Sequence, residues 1–120
     1  MATLFLLGRI LFGGFFVYNG YGHIKNLEGT TGYAKSKGVP FAKLSVLVSG
    51  IVLVLGGIGV MFLFHVRFAL FILASFLIVT TYMMHQFWKV SDPMHKMSEQ
   101  IAFQKNVALL GAIFMLMVLL

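Results

Sequence analysis

Residues 41–87 read FAKLSVLVSGIVLVLGGIGVMFLFHVRFALFILASFLIVTTYMMHQF, and this stretch decides the fold. It holds two apolar runs, Phe41 to Phe64 and Val66 to Phe87, with only Lys43 and Arg67 charged inside it. Each run is close to the roughly 20 residues that cross a ~30 Å hydrocarbon core as a helix. A few residues around Phe64 and His65 join them, which makes a tight antiparallel hairpin. The alternating pattern of a barrel strand is absent. In lipid every backbone polar group needs an internal partner, so helices are the reading that fits.

Outward from this hairpin, Ala2 to Ile24 and Ile101 to Leu120 are of similar length and character. The sequence therefore predicts an all-α, transmembrane four-helix antiparallel bundle with helices at about 2–24, 41–64, 66–87 and 101–120. Together they form a single domain over 1–120. With 60% hydrophobic and 10% charged residues, a soluble domain would have too little polar surface to cover itself. The first run is read as a retained transmembrane helix rather than a cleaved signal. No cation precedes Arg9, and no A-x-A site follows the run.

Charge is partitioned between the ends of these runs. Lys25, Lys35, Lys37 and Lys43 lie in or beside the first connector, and Lys89, Lys96 and Lys105 in or beside the third. The acids Glu28, Asp92 and Glu99 lie there too. Short cytoplasmic loops collect Lys and Arg, so connectors 1 and 3 are expected in the cytoplasm of a bacterial inner membrane, with both termini and the hairpin outside. The net charge of +6 follows from that rule and from attraction to anionic lipid heads; it is no sign of nucleic-acid binding. Gly29, Gly32, Gly38 and Pro40 read as helix breakers in connector 1, and Ser91-Asp92-Pro93 opens a polar segment that can start the last helix ahead of the membrane. The absence of cysteine removes thiol–disulfide chemistry carried by this chain and any thiolate metal site.

Small residues mark helix contacts. Ser45, Ser49, Val52, Gly56 and Gly59 share one helix face, and so do Arg9, Gly13, Phe16, Gly20 and His23. Close approach inside the bundle is the expected use of both faces.

Polar residues in the spans are the candidates for chemistry. Arg9 sits about two turns into the first helix, where it either snorkels to the outer headgroups or contacts an anionic ligand. A second group gathers at the cytoplasmic helix ends: His23 with Asn19, Tyr82 with Thr81 one turn before His85, Trp88, and then Gln100, Gln104, Lys105 and Asn106. Two imidazoles near Tyr, Gln and Lys can bind a polar head, shuttle a proton or line a quinone site. The same residue types also serve simply as interfacial anchors. Two histidines without a carboxylate or thiolate in the spans make an incomplete metal-ligand set, so no metal is expected.

Several motifs in order carry a resemblance: Gly8-Arg9-Ile10, Gly20-Tyr21-Gly22-His23-Ile24-Lys25, Gly38-Val39-Pro40, Gly50 with Gly56-Gly57, Arg67-Phe68-Ala69, His85-Gln86-Phe87-Trp88, and Gln100 with Phe103-Gln104-Lys105-Asn106 and Gly111. Across nearly the whole chain this pattern resembles the DoxX family. The resemblance implies a compact four-helix membrane protein. Its relatives include the small subunit of a thiosulfate:quinone oxidoreductase, components of membrane redox complexes, and helpers or cargo receptors for other proteins. It also implies a glutamate in helix 2 where this chain has Leu53, a departure that removes the natural partner for Arg9.

Three function classes fit these residues. The first is an accessory or scaffold subunit of a membrane complex, redox-linked and not catalytic alone. The second is a quinone-linked component using the His23/His85 end. The third is a transporter that works by oligomerising. The missing cysteines, missing intramembrane acids and minimal loops favour the first. The expected partners are the lipid bilayer, a redox subunit, and a second copy of the chain.

Overall fold

The computed structural model describes residues 1–84 and 87–120. It contains α1 (Ala2–Lys25), α2 (Leu27–Ser36), α3 (Ala42–Met61), α4 (Val66–Met84), a 3-10 turn at Phe87–Lys89, and α5 (Pro93–Leu119). Among the described residues there is no strand. Four helices, α1, α3, α4 and α5, are long and apolar enough to cross a membrane. The longest dimension, 45 Å, matches the ~40–45 Å of a bilayer with its headgroups.

Packing is built around α3. One seam joins it to α1 through glycines seven residues apart on both helices. A Cβ at Gly13 would stand 2.5 Å from the Gly57 carbonyl oxygen, and one at Gly20 would stand 2.5 Å from that of Gly50. Pairing 13 with 57 and 20 with 50 makes the two helices antiparallel. Only glycine allows this backbone-to-backbone approach, which in lipid supplies dispersion contact where no hydrophobic drive exists. The other seam places Gly56 against Leu73 and Gly59 against Ala69 of α4. The core proper joins Phe16, Leu53, Val60, Leu70, Leu73, Leu77 and Ile113, one cluster contributed by all four long helices. Leu53 is therefore a core apolar residue, 2% exposed.

The outside is apolar as well. Leu11, Phe68, Phe71, Met115 and Val118 are all exposed. Such a surface is stable only against lipid tails, and the chain is an integral membrane protein.

Three local features position the site. The α3–α4 hairpin closes with a Schellman motif in which the Phe64 N–H donates to Gly59 O (2.9 Å) and the Leu63 N–H to Val60 O (3.4 Å). Leu63 takes the left-handed conformation there at φ 54°, a position usually given to glycine.

Connector 1 differs from expectation, because most of it is helical. Leu27, Thr31 and Ala34 share one side, with Thr31 and Ala34 buried, and the helix lies on α3. Gly29 and Gly32 sit inside it. Only Gly38, at φ 79°, acts as a stop, closing α2 through Val39 N–H to Ala34 O (3.1 Å) and Gly38 N–H to Lys35 O (3.0 Å). Burial of one apolar stripe outweighed the propensity cost of two glycines.

The last helix also starts earlier than the apolar run. Asp92 caps it, its side chain accepting from the His95 N–H at 3.2 Å, and Pro93 supplies a first-turn φ. The added turns bring Glu99 into the helix on the face of Asn106 and Ile113, all three buried at seven-residue spacing.

Candidate functional site

Where α3 begins and α4 ends, the two helices leave a lateral groove of about 930 Å³. That is within the ~300–1,000 Å³ of small-molecule sites. Leu44, Val48 and Val52 form one wall and Phe71, Phe76, Val79 and Met83 the other, while α2 closes the connector end with Thr30, Tyr33 and Ala34. Phe41, Leu44, Phe71 and Val79 on its rim are exposed. Because that rim faces lipid, entry from the bilayer needs no aqueous route.

Polar atoms are few and set along the wall. His23 Nδ1 lies 3.0 Å from Ser49 Oγ. The Ser49 hydroxyl donates its hydrogen to Val46 O at 2.8 Å, so its oxygen accepts and the His23 proton sits on Nδ1. When the ring is neutral, Nε2 is then its acceptor nitrogen. Ser45 and Ser75 likewise commit their hydroxyl hydrogens to Pro40 O (2.9 Å) and Phe71 O (3.0 Å), leaving oxygen lone pairs for anything beside them. The groove is thus an apolar slot with a few acceptor atoms along its wall.

Tyr33 links this slot to a buried acid. Its hydroxyl donates to Glu99 Oε1 at 2.5 Å, the length of a charge-assisted O–H···O⁻ bond. Glu99 is 5% exposed. Lys37 Nζ stands 3.5 Å from its Oε2, and His95 Nε2 stands 3.6 Å from its Oε1. Lys37 also lies over the Tyr33 ring, 5.4 Å from the centroid. Burial, then the hydrogen bond and charge of Glu99, hold the Tyr33 phenol protonated well above its ordinary range.

The residues marked from sequence are distributed as follows. His23 lines the groove, its ring centroid 6.3 Å from that of Phe76. Asn19 turns back on its own helix and donates to Phe15 O at 2.7 Å. Tyr82 is exposed on α4. Trp88 packs edge-on against Phe87 and Phe103, with centroids 5.3 and 5.7 Å away. Gln104 is exposed. Lys105 stands over the Phe15 ring of α1 at 5.2 Å. His85 lies outside the described residues, and so does its expected approach to His23. Of the other six, His23 is the one on the groove wall.

Arg9 is half-buried near the start of α1, with its guanidinium 5.0 Å from the Phe5 ring centroid and its Nε buried without a hydrogen-bond partner among the described residues. Ser45, Ser49 and Val52, expected as part of a packing face, line the groove instead. Among the described residues no three His, Cys, Asp or Glu side chains gather as a metal set.

Sequence reasoning missed Tyr33, Lys37 and Glu99. Extending the seven-residue register of Ile113 and Asn106 back one step reaches Glu99, and its spacing of four from His95 is the further signal.

A family model described as DoxX matches residues 4–86, well over half of the chain. No curated protein and no solved structure matches it.

Proposed function

The chain belongs to the DoxX family, and from that premise we propose that it is an accessory subunit of a membrane redox complex whose contribution is to hold a quinone in the lateral groove. The observation that carries this reading is the groove itself: an apolar slot with a lipid-facing rim and His23, Ser49 and Tyr33 at its connector end. An isoprenoid quinone has the matching form, a polar ring on an apolar tail. In this reading electron transfer is assigned to a partner subunit, and the absence of cysteine removes only thiol–disulfide chemistry from this chain. His85 and Trp88 remain candidates for shaping the same end, and Arg9 for headgroup contact at the other.

In this reading the membrane is the bacterial inner membrane, with connectors 1 and 3 cytoplasmic and both termini outside. The support is the concentration of lysines in those connectors. An alkaline phosphatase fusion after Leu120 is then active, and an inactive one inverts the topology.

The function is tested by titrating purified protein in nanodiscs with decylubiquinone. Saturable binding is expected, and Val48→Trp, which places an indole in the slot, abolishes it. Binding that is absent in the unaltered protein, or unchanged by Val48→Trp, overturns the proposal.

A further inference from the structure

We propose that Tyr33, Glu99 and His95 form a proton-exchange site that connects the groove to the aqueous phase. The inference rests on the quinone reading of the groove and assigns to its connector end a chemistry that the fold alone does not require.

Glu99 is an ionisable group 5% exposed in a helix long enough to span the membrane. Acids in such helices are costly and, where kept, mark proton or ion pathways. Its surroundings are directional. Tyr33 lines the groove and its hydroxyl is bonded to Oε1. The same oxygen is 3.6 Å from Nε2 of His95, whose side chain is 49% exposed. Lys37, from α2, stands 3.5 Å from the other oxygen, Oε2, and balances the carboxylate charge. A latch between α2 and α5 would be complete with Tyr33 and Lys37. The imidazole at 3.6 Å adds a half-exposed side chain that can pass a proton on to solvent, across a gap that one water or a small rotation closes.

The transfer balances atom by atom. A hydroxyl in the groove gives its proton to Tyr33 Oη as the Tyr33 proton passes to Glu99 Oε1. Glu99 releases that proton to His95 Nε2, and the imidazolium returns it to water. Reversed, the same path delivers a proton to the groove. Electrons travel separately, to or from the redox subunit.

The test is an infrared difference spectrum of the protein in lipid vesicles with decylubiquinone, its redox state switched at an electrode. The expected result is a protonated-carboxyl band that shifts down in D2O. It is lost in Glu99→Gln, which keeps an acceptor for Tyr33, and lost in Tyr33→Phe, which keeps the acid but cuts the path. Val107→Ala, on an exposed side of α5 away from the three residues, retains the band. Bound-quinone signals without the band, or a band that survives Glu99→Gln, overturn the proton site and leave the groove standing. Absence of bound-quinone signals overturns both.

Discussion

Replacing Gly20 with alanine tests the α1–α3 seam on which the groove is built. The new Cβ would lie 2.5 Å from Gly50 O, 2.8 Å from Val54 Cγ2 and 2.9 Å from Leu53 Cβ. The first of these is backbone and cannot rotate away. Ordinary contact begins at 3.4 Å, so the helices must separate by about 0.9 Å along that line. That movement also loosens the Gly13–Gly57 contact two turns along. Overpacking of this kind costs about 1–3 kcal/mol, whereas alanine in an open helical position gains about 0.5–1 kcal/mol over glycine. Gly22 supplies the control, since nothing lies within 4 Å of its Cβ position. In reversible unfolding by SDS in mixed micelles, Gly20→Ala should be less stable than Gly22→Ala by about 1–3 kcal/mol. Equal stabilities, or a more stable Gly20→Ala, would refute the seam.

Three further outcomes are expected. Glu99→Ala strands the Lys37 ammonium and the Tyr33 hydroxyl and should cost ~3–5 kcal/mol in the same assay, with Glu99→Gln clearly milder; equal costs would place the energy in packing. Asp92→Ala removes the α5 cap and should cost about 0.5–2 kcal/mol, visible as faster hydrogen exchange at the His95 and Lys96 amides. The Tyr33 phenol has a folded pKa raised above its ordinary value of 10.0. The folded state therefore holds that proton more tightly, and its stabilising contribution is full below pH 10.0 and lost as pH rises above it. Unfolding measured across that range should show the decline, and Tyr33→Phe should flatten it.

Much of the fold was legible because it rests on span length. Runs of about twenty apolar residues and two connectors rich in lysine determine four helices and their hairpin pairing. The Gly13, Phe16 and Gly20 face was readable from its spacing, and these three residues are the buried ones of α1. What hydropathy hid was the first connector. There a ten-residue helix forms through glycines because Thr31 and Ala34 can be buried against α3.

The site was legible in part for the same reason. His23 stood out as a polar residue in an apolar run, and it lines the groove. By sequence Glu99 reads as connector charge because the apolar count starts at Ile101, yet α5, capped by Asp92, begins six residues before Glu99 and carries it inward. Tyr33 and Lys37 have no signal of their own until α2 is recognised as a helix. Ser45 and Ser49 read as packing residues because spacing alone does not tell a contact face from a groove wall.

The most direct test of the central claim is to map the attachment of a photoactivatable quinone analogue to the protein in native-like membranes. Labelled peptides should come from residues 44–52 of α3 and 71–84 of α4, and excess unlabelled quinone should suppress the labelling. Label that resists competition, or falls on the lipid-facing sides of α1 and α5, would contradict the account.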